Sequence, residues 1–240
     1  NGSAGYIAAE AVDLTINDGL FNIVVQTGSE DANGIVHGGN TGGPASTGAG
    51  DNHKIYMVAV PKNQALTMIL EGSVGFEAAT SATVENGEII LSSGHNVLGA
   101  DFDSSPTPAV VSNLHIVGGT FTSDVRARAR DDMLATTANG SLTFGGDATL
   151  IGGARSHLGA TAEQTISIAG NAVVSNGKSD DYAGFEDGTG GEALIFADAS
   201  GGVAIAGDAT VDAATRGALG ADATGGIARI DAAGGTIDVG

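Results

Sequence analysis

The chain has 240 residues, enough to bury a large core, but with 40 Gly, 7 Phe, 3 Tyr and no Trp its apolar mass is Val, Ile, Leu and Ala. That composition suits a thin, regularly layered core better than an aromatic-rich globule, and an apolar content of 42% excludes a disordered polar tract. With 28 acidic residues against 9 basic ones, the net charge of −19 repels nucleic acid and anionic lipid, so neither is expected as a partner.

The absence of cysteine removes disulfides, thiol catalysis and cysteine metal sites. No apolar run reaches the ~18–20 residues that span a bilayer, so membrane insertion is not expected. The chain opens at Asn1 in what already reads as repeat sequence, with no signal-peptide pattern, which reads as a processed product or an excised piece.

In chain order, alternating apolar residues predict strands over 11–16 and 20–26, then a Gly/Asn/Ser-rich loop between residues 28 and 52. A strand is expected over 54–60. Residues 64–71 (QALTMILE) read either as the one helical turn of the chain or as buried strand, and another strand follows over 88–91.

Beyond residue 113 a degenerate repeat sets in. LTFGGDATL (142–150), ISIAGNAVV (166–174) and VAIAGDATV (203–211) each carry two alternating apolar residues, a glycine-containing corner and a second alternating run. LHIVGGTF (114–121) reads as a looser copy, and IDAAGGTI (230–237) follows at an altered register. Starts at 114, 142, 166 and 203 fall at the spacing of stacked-coil architectures, in which corners tolerate insertions while strands stay in register. Gly-Gly, Gly-Asp and Gly-Asn pairs supply the corners. Further strands are expected over 191–196 and 225–230, with residues 176–190 as a looped excursion. The fold expected is all-β, a parallel β-helix (β-solenoid) running as a single continuous rod over residues 1–240, with ~8–10 coils of ~25–30 residues.

One block is more specific. HKIYMVAVPKNQALTMILEGSVGF (53–76), continuing through ATVENGEIILS (82–92), resembles segments of large filamentous-haemagglutinin-like exoproteins of Gram-negative bacteria. The resemblance implies a right-handed β-helical rod, secretion to the bacterial cell surface, and a role in adhesion or biofilm scaffolding rather than catalysis. Its partners would be neighbouring coils, copies of itself or extracellular polysaccharide. That family's secretion domain carries an Asn-Pro-Asn-Gly motif, and this chain offers only ANGI at 32–35, without the proline. The resemblance brings no catalytic residues.

Three sets of residues are candidates for binding. Asp180, Asp181, Glu186 and Asp187 form the densest oxygen supply in the chain and are candidate calcium ligands, though a solvated acidic loop is the simpler reading and no cofactor is otherwise indicated. Asp101 and Asp103 are a weaker pair. Arg126, Arg128 and Arg130 alternate, which places a third of the basic residues on one strand face; they would anchor an anionic polysaccharide or pair with acidic side chains on adjacent coils. Tyr182 and Phe185 in the acidic loop could contact carbohydrate, whereas Tyr56, Phe76, Phe121, Phe144 and Phe196 read as core or corner residues. His37, His53, His95, His115 and His157 show no zinc spacing and read as isolated surface or corner residues. The competing readings are a polysaccharide lyase or hydrolase on the same scaffold, which needs carboxylates and a basic residue gathered on one outer face, and a phage tail fibre.

Overall fold

A computed structural model describes residues 2–45, 53–77, 87–103, 110–176, 188–189, 191–213, 223–224 and 226–240. Among them the chain is strand and turn throughout, with no helix. The first pass contains β1 (Ala4–Asn17), β2 (Leu20–Gly28), β3 (Val36–His37) and β4 (Asn40–Gly43). Next come β5 (Lys54–Ala59), β6 (Leu66–Leu70), β7 (Ser73–Phe76), β8 (Glu88–Ser93), β9 (Val97–Leu98) and β10 (Asp101–Phe102). The middle holds β11 (Ser112–Ile116), β12 (Gly119–Phe121), β13 (Asp124–Ala129), β14 (Asp132–Thr136), β15 (Leu142–Phe144), β16 (Ala148–Gly152), β17 (Arg155–Ala160), β18 (Thr165–Ile168) and β19 (Ala172–Asn176). The remainder is β20 (Gly188–Thr189), β21 (Glu192–Ala197), β22 (Gly202–Ile205), β23 (Ala209–Asp212), β24 (Ala223–Thr224), β25 (Ile227–Asp231) and β26 (Thr236–Val239).

Three large sheets collect these strands. The first has the order β10-β9-β2-β1-β5-β8-β13-β16-β19-β23, the second β25-β21-β17-β14-β11-β6-β3, and the third β26-β22-β18-β15-β12-β7-β4. A small β20-β24 pair stands apart. From β5 onward the chain visits first, second and third sheet in turn and then begins again. Apart from β9, β10 and the small β20-β24 pair, each strand therefore pairs with the strand one pass earlier, in parallel. The second and third sheets contain seven strands each, fewer than the ~8–10 turns expected from average spacing. Among the described residues, β9 and β10 are one stretch that the chain spends between passes of the three sheets.

The sequence repeats correspond to this stacking. Leu142, Ile166 and Val203 occupy one column of the third sheet, and Phe144, Ile168 and Ile205 the next inward one. Ala148, Ala172 and Ala209 align in the first sheet in the same way. The copy read at 114 belongs elsewhere: Leu114 pairs with Met133 in the second sheet, and Gly119-Thr-Phe121 is what lies against Leu142-Thr-Phe144. At the far end Ile237 and Val239, not Ile230, continue the column of Val203 and Ile205. Period-2 alternation alone left that one-strand displacement undetected.

Inward residues of the three sheets form one core. It runs from Ile55, Met57 and Met68 through Phe121, Phe144 and Leu150 to Ile195 and Ile205. Phe121 and Phe144 stack at 5.5 Å between ring centroids. Buried polar residues of the second sheet are satisfied: Ser156 on β17 donates its hydroxyl to the Leu150 carbonyl at 2.9 Å, and the Ser112 hydroxyl on β11 lies 2.8 Å from that of Ser93, so they cost little.

One corner is tied by side chains. The Asp147 N–H donates to Asp124 Oδ1 at 2.9 Å, the Asn171 N–H to Asp147 Oδ1 at 2.7 Å, and the Asp208 N–H to Asn171 Oδ1 at 2.9 Å. The offsets of 23, 24 and 37 residues are those of successive passes. The Gly-Asp and Gly-Asn corners thus place a short acceptor where the next pass presents an N–H.

The N-terminal part departs from an all-parallel stack. β1 pairs in parallel with β5 through Ala4–Ala8, then turns at Asp18-Gly19 and pairs antiparallel with β2. β2 continues antiparallel to β9, and β9 to β10, so the first sheet is mixed. Ile23, Val25 and Val97 of this added layer pack on Tyr56, Val58, Val60 and Ile90, which point outward from β5 and β8. Tyr56 stacks on Phe21 at 5.1 Å, and its hydroxyl accepts the Phe21 N–H at 3.2 Å.

Burial on both faces explains the unbroken apolar run IYMVAV at 55–60. QALTMILE forms β6, a strand with alternating burial rather than a helical turn. The expected loop between residues 28 and 52 holds β3 and β4 within its described part. His53 and His95 are buried rather than at the surface.

Gly119 sits at a corner with φ of 104°, and a Cβ there would come within 2.3 Å of the Gly72 carbonyl oxygen one pass earlier. Gly119→Ala is expected to lower stability by about 2 kcal/mol or more in urea denaturation. Gly39→Ala, with no heavy atom within 4 Å of the added carbon, should change it by less than about 0.5 kcal/mol.

Candidate functional site on the outer face of the second sheet

On β11, β14, β17 and β21 the inward residues are apolar or small, and the alternate positions carry the charged and titratable groups. The strand register lines them up in rows. Asn113, Asp132, Arg155 and Glu192 form one row, since Arg155 pairs with Asp132 on one side and Glu192 on the other, and the Asp132 N–H donates to Asn113 Oδ1 at 3.2 Å. His115, Leu134, His157, Leu194 and Arg229 form the next, and Gly159, Phe196 and Asp231 the third.

Charges in these rows are paired. Arg155 binds Asp132 in a fork, Nε to Oδ1 at 3.0 Å and Nη2 to Oδ2. His157 Nε2 lies 3.0 Å from Glu192 Oε2 on the diagonal, and Arg229 pairs with Asp231. The carboxylate beside Arg155 raises its already high pKa. His115 is the exception, because its Nε2 is buried without a hydrogen-bond partner among the described residues. Burial pushes its imidazole below the ordinary value of 6.5; Asp132 pulls it partly back, and Arg155 lowers it further.

Phe196 belongs to this face and not to the core, contrary to the sequence reading. Its ring lies over Gly159, where an added Cβ would fall 2.0 Å from Cε1 and Cζ, and His157 stands edge-on to it at 6.3 Å and 86°.

The other candidates lie elsewhere. Arg126, Arg128 and Arg130 lie on and just beyond β13, alternating with buried Val125, Ala127 and Ala129. Arg126 Nη1 donates to the Ala100 carbonyl at 2.6 Å, its guanidinium lies 5.7 Å from the centroid of the Phe102 ring, and Glu88 Oε1 and Asp101 Oδ1 stand within 3.8 Å and 3.7 Å. Arg126 thereby ties β13 to the β9–β10 segment. Arg128 and Arg130 are also engaged within the fold. Asp180, Asp181, Glu186 and Asp187, with Tyr182 and Phe185, lie outside the described residues. Among the described residues no group of three or more His, Asp or Glu is arranged to hold a metal ion.

Asp132, Arg155, Glu192 and the outward Phe196 were not assembled from sequence. The usable signal was the repeat itself: DMLAT, RSHLGA and EALIFA fall on consecutive passes, and aligning them stacks Asp, Arg and Glu.

No family model matches the chain, and no curated protein or solved structure does so either.

The depressed His115 pKa has a definite sign. Above pH 6.5 the imidazole is neutral both folded and unfolded, and its burial carries no protonation cost. Below that value the unfolded chain takes up a proton that the folded chain resists, so stability falls until the folded pKa is reached. The denaturation midpoint is expected to decline as the pH is lowered below 6.5, and His115→Gln to flatten that decline relative to the parent.

Proposed function

We propose that this chain is a stretch of right-handed parallel β-helix, serving as a structural and adhesive β-solenoid in a secreted bacterial surface protein. The observation that carries this reading is the cyclic visiting of three sheets, with each strand paired to the strand one pass earlier. Successive strands of a sheet are joined by crossovers, and strand twist makes such crossovers right-handed in nearly all cases. In a solenoid of this kind each pass contacts chiefly its neighbours, so length is added without redesigning the core, which suits a projecting rod. Seven passes at about 4.8 Å each give a stack roughly 30 Å tall. The resemblance of residues 53–92 to exported filamentous adhesins and the strongly acidic surface agree with an extracellular setting.

A second reading has one observation in its favour. Asp132 and Glu192 flank Arg155 on one outer face, which is the grouping a polysaccharide-acting enzyme on this scaffold needs. All three, however, are held in ion pairs or beside one, an arrangement better suited to contact than to proton transfer.

The chain lacks cysteine, so engineered pairs report the stacking directly. Thr143→Cys with Ser167→Cys, outward partners on β15 and β18, should be bridged by dibromobimane, whereas Thr143→Cys with Thr149→Cys, on different sheets, should not. Failure of the first pair to crosslink in folded protein would remove the solenoid.

The functional reading is tested by incubating the chain with a panel of bacterial and host polysaccharides, with and without calcium. Retained binding without new reducing ends is expected. New reducing ends would establish the enzyme instead, and neither binding nor cleavage would leave a spacer rod without adhesive contacts of its own.

A further inference from the structure

An open strand edge is a row of unpaired N–H and C=O groups, which sheet proteins blunt with lysine, proline or a covering segment. β1 has such an edge. Its residues Ala4–Ala8 pair with β5, and from Ala9 onward it pairs with β2 alone. Over residues 11–17 the side away from β2 therefore has no partner strand among the described residues. That segment contains neither lysine nor proline, and every residue in it is exposed.

Its apolar side chains share one face. Val12, Leu14 and Ile16 stand opposite Val25, Ile23 and Phe21 of β2, the residues with which β2 sits on Tyr56 and Val58. On β2 that face is covered, with Ile23 and Val25 buried. On β1 the same face is open, with Val12, Leu14 and Ile16 exposed by 37%, 45% and 60%. The acids here are already held: Lys62 binds Glu10 at 2.8 Å, and Gln26 Nε2 donates to Asp13 Oδ2 at 2.8 Å. An apolar row beside an unpaired ladder is what an added strand covers.

The segment is complementary to itself. Paired antiparallel with a second copy about Leu14, all seven residues 11–17 find partners: Leu14 meets Leu14, Val12 meets Ile16, and Asp13 meets Thr15. The apolar row stays on one face, and within the segment no acid faces another. A centre at Asp13 sets its carboxylate against that of the copy, and a centre between two residues turns the apolar row against the polar one. We propose that two copies of this chain pair antiparallel through this edge of β1, centred on Leu14, as a closed twofold dimer. The pairing goes beyond the adhesive reading and holds whether or not the rod binds sugar.

Sedimentation velocity of the full chain, run up to millimolar concentration in physiological salt to screen the charge of −19, tests it. A reversible monomer–dimer equilibrium is expected. Leu14→Lys sets like charges opposite each other at the twofold and should raise the dimer dissociation constant at least about a hundredfold. Far-UV circular dichroism establishes that the variant is folded; if it is not, Ile16→Lys decides. Register is read with single cysteines, which the chain otherwise lacks. Leu14→Cys should be bridged between copies by dibromobimane, whereas Val12→Cys, about 13 Å from its counterpart, should not. A strictly monomeric chain, assembly beyond the dimer, a dimer that the folded lysine variant leaves intact, or equal crosslinking of both cysteines would overturn the proposal.

Discussion

The register between parallel strands one pass apart is the constraint on which the rest depends. Side chains alternate with period 2, so a slip of one residue would turn every inward residue of a strand to solvent. The core columns show the constraint satisfied through the stack: Phe144, Ile168 and Ile205 succeed one another in the third sheet, and Leu150, Val174 and Val211 in the first. Corner side chains reinforce it. An Asp or Asn that accepts the N–H of the next pass fixes where that pass begins, and the same contact recurs whether the intervening segment holds 23, 24 or 37 residues. Insertions at corners are tolerated because the ladder is restored at the next strand.

Once the inward residues are committed to the core, the outward ones are free to differ from sheet to sheet. The first sheet uses this freedom to add a second apolar layer near the N-terminal end, where β2 and β9 cover Tyr56, Val58 and Ile90. Burial raises the Tyr56 hydroxyl's pKa, with Glu88 adding to the effect and the Phe21 N–H opposing it. The second sheet instead presents rows of paired charges with one aromatic ring among them. Its strands, about 4.8 Å apart, repeat these rows from one pass to the next.

How legible this was varies by level. All-β character, the Gly-Asp and Gly-Asn corners and three copies of the repeat follow from residues 142–211, because there the alternation is clean and the corners are short. The copy near 114 was displaced by a strand because LHI and GTF are both short alternating runs, and only the pairing of Phe121 with Phe144 distinguishes them. The arginines of β13 stood out by scarcity of positive charge, yet Arg126 is held by Ala100, Phe102 and Glu88. Asp132, Arg155 and Glu192 stood out by nothing local. They become a row only when strands far apart in sequence are laid side by side.

The sequence by itself determined the composition of the core, the strand alternation and the corner chemistry, since these are local: a short apolar pair, a glycine and an Asx residue carry their preferences wherever they occur. Tertiary structure decided which strands neighbour one another, and with that everything that depends on adjacency. It turned IYMVAV into a strand buried on both faces by supplying β2 above it, placed His115 where burial lowers its basicity, and laid Phe196 on Gly159. The physical reason is that hydrogen-bonded register couples residues a whole pass apart, and pass length varies with corner insertions that the local pattern leaves unspecified.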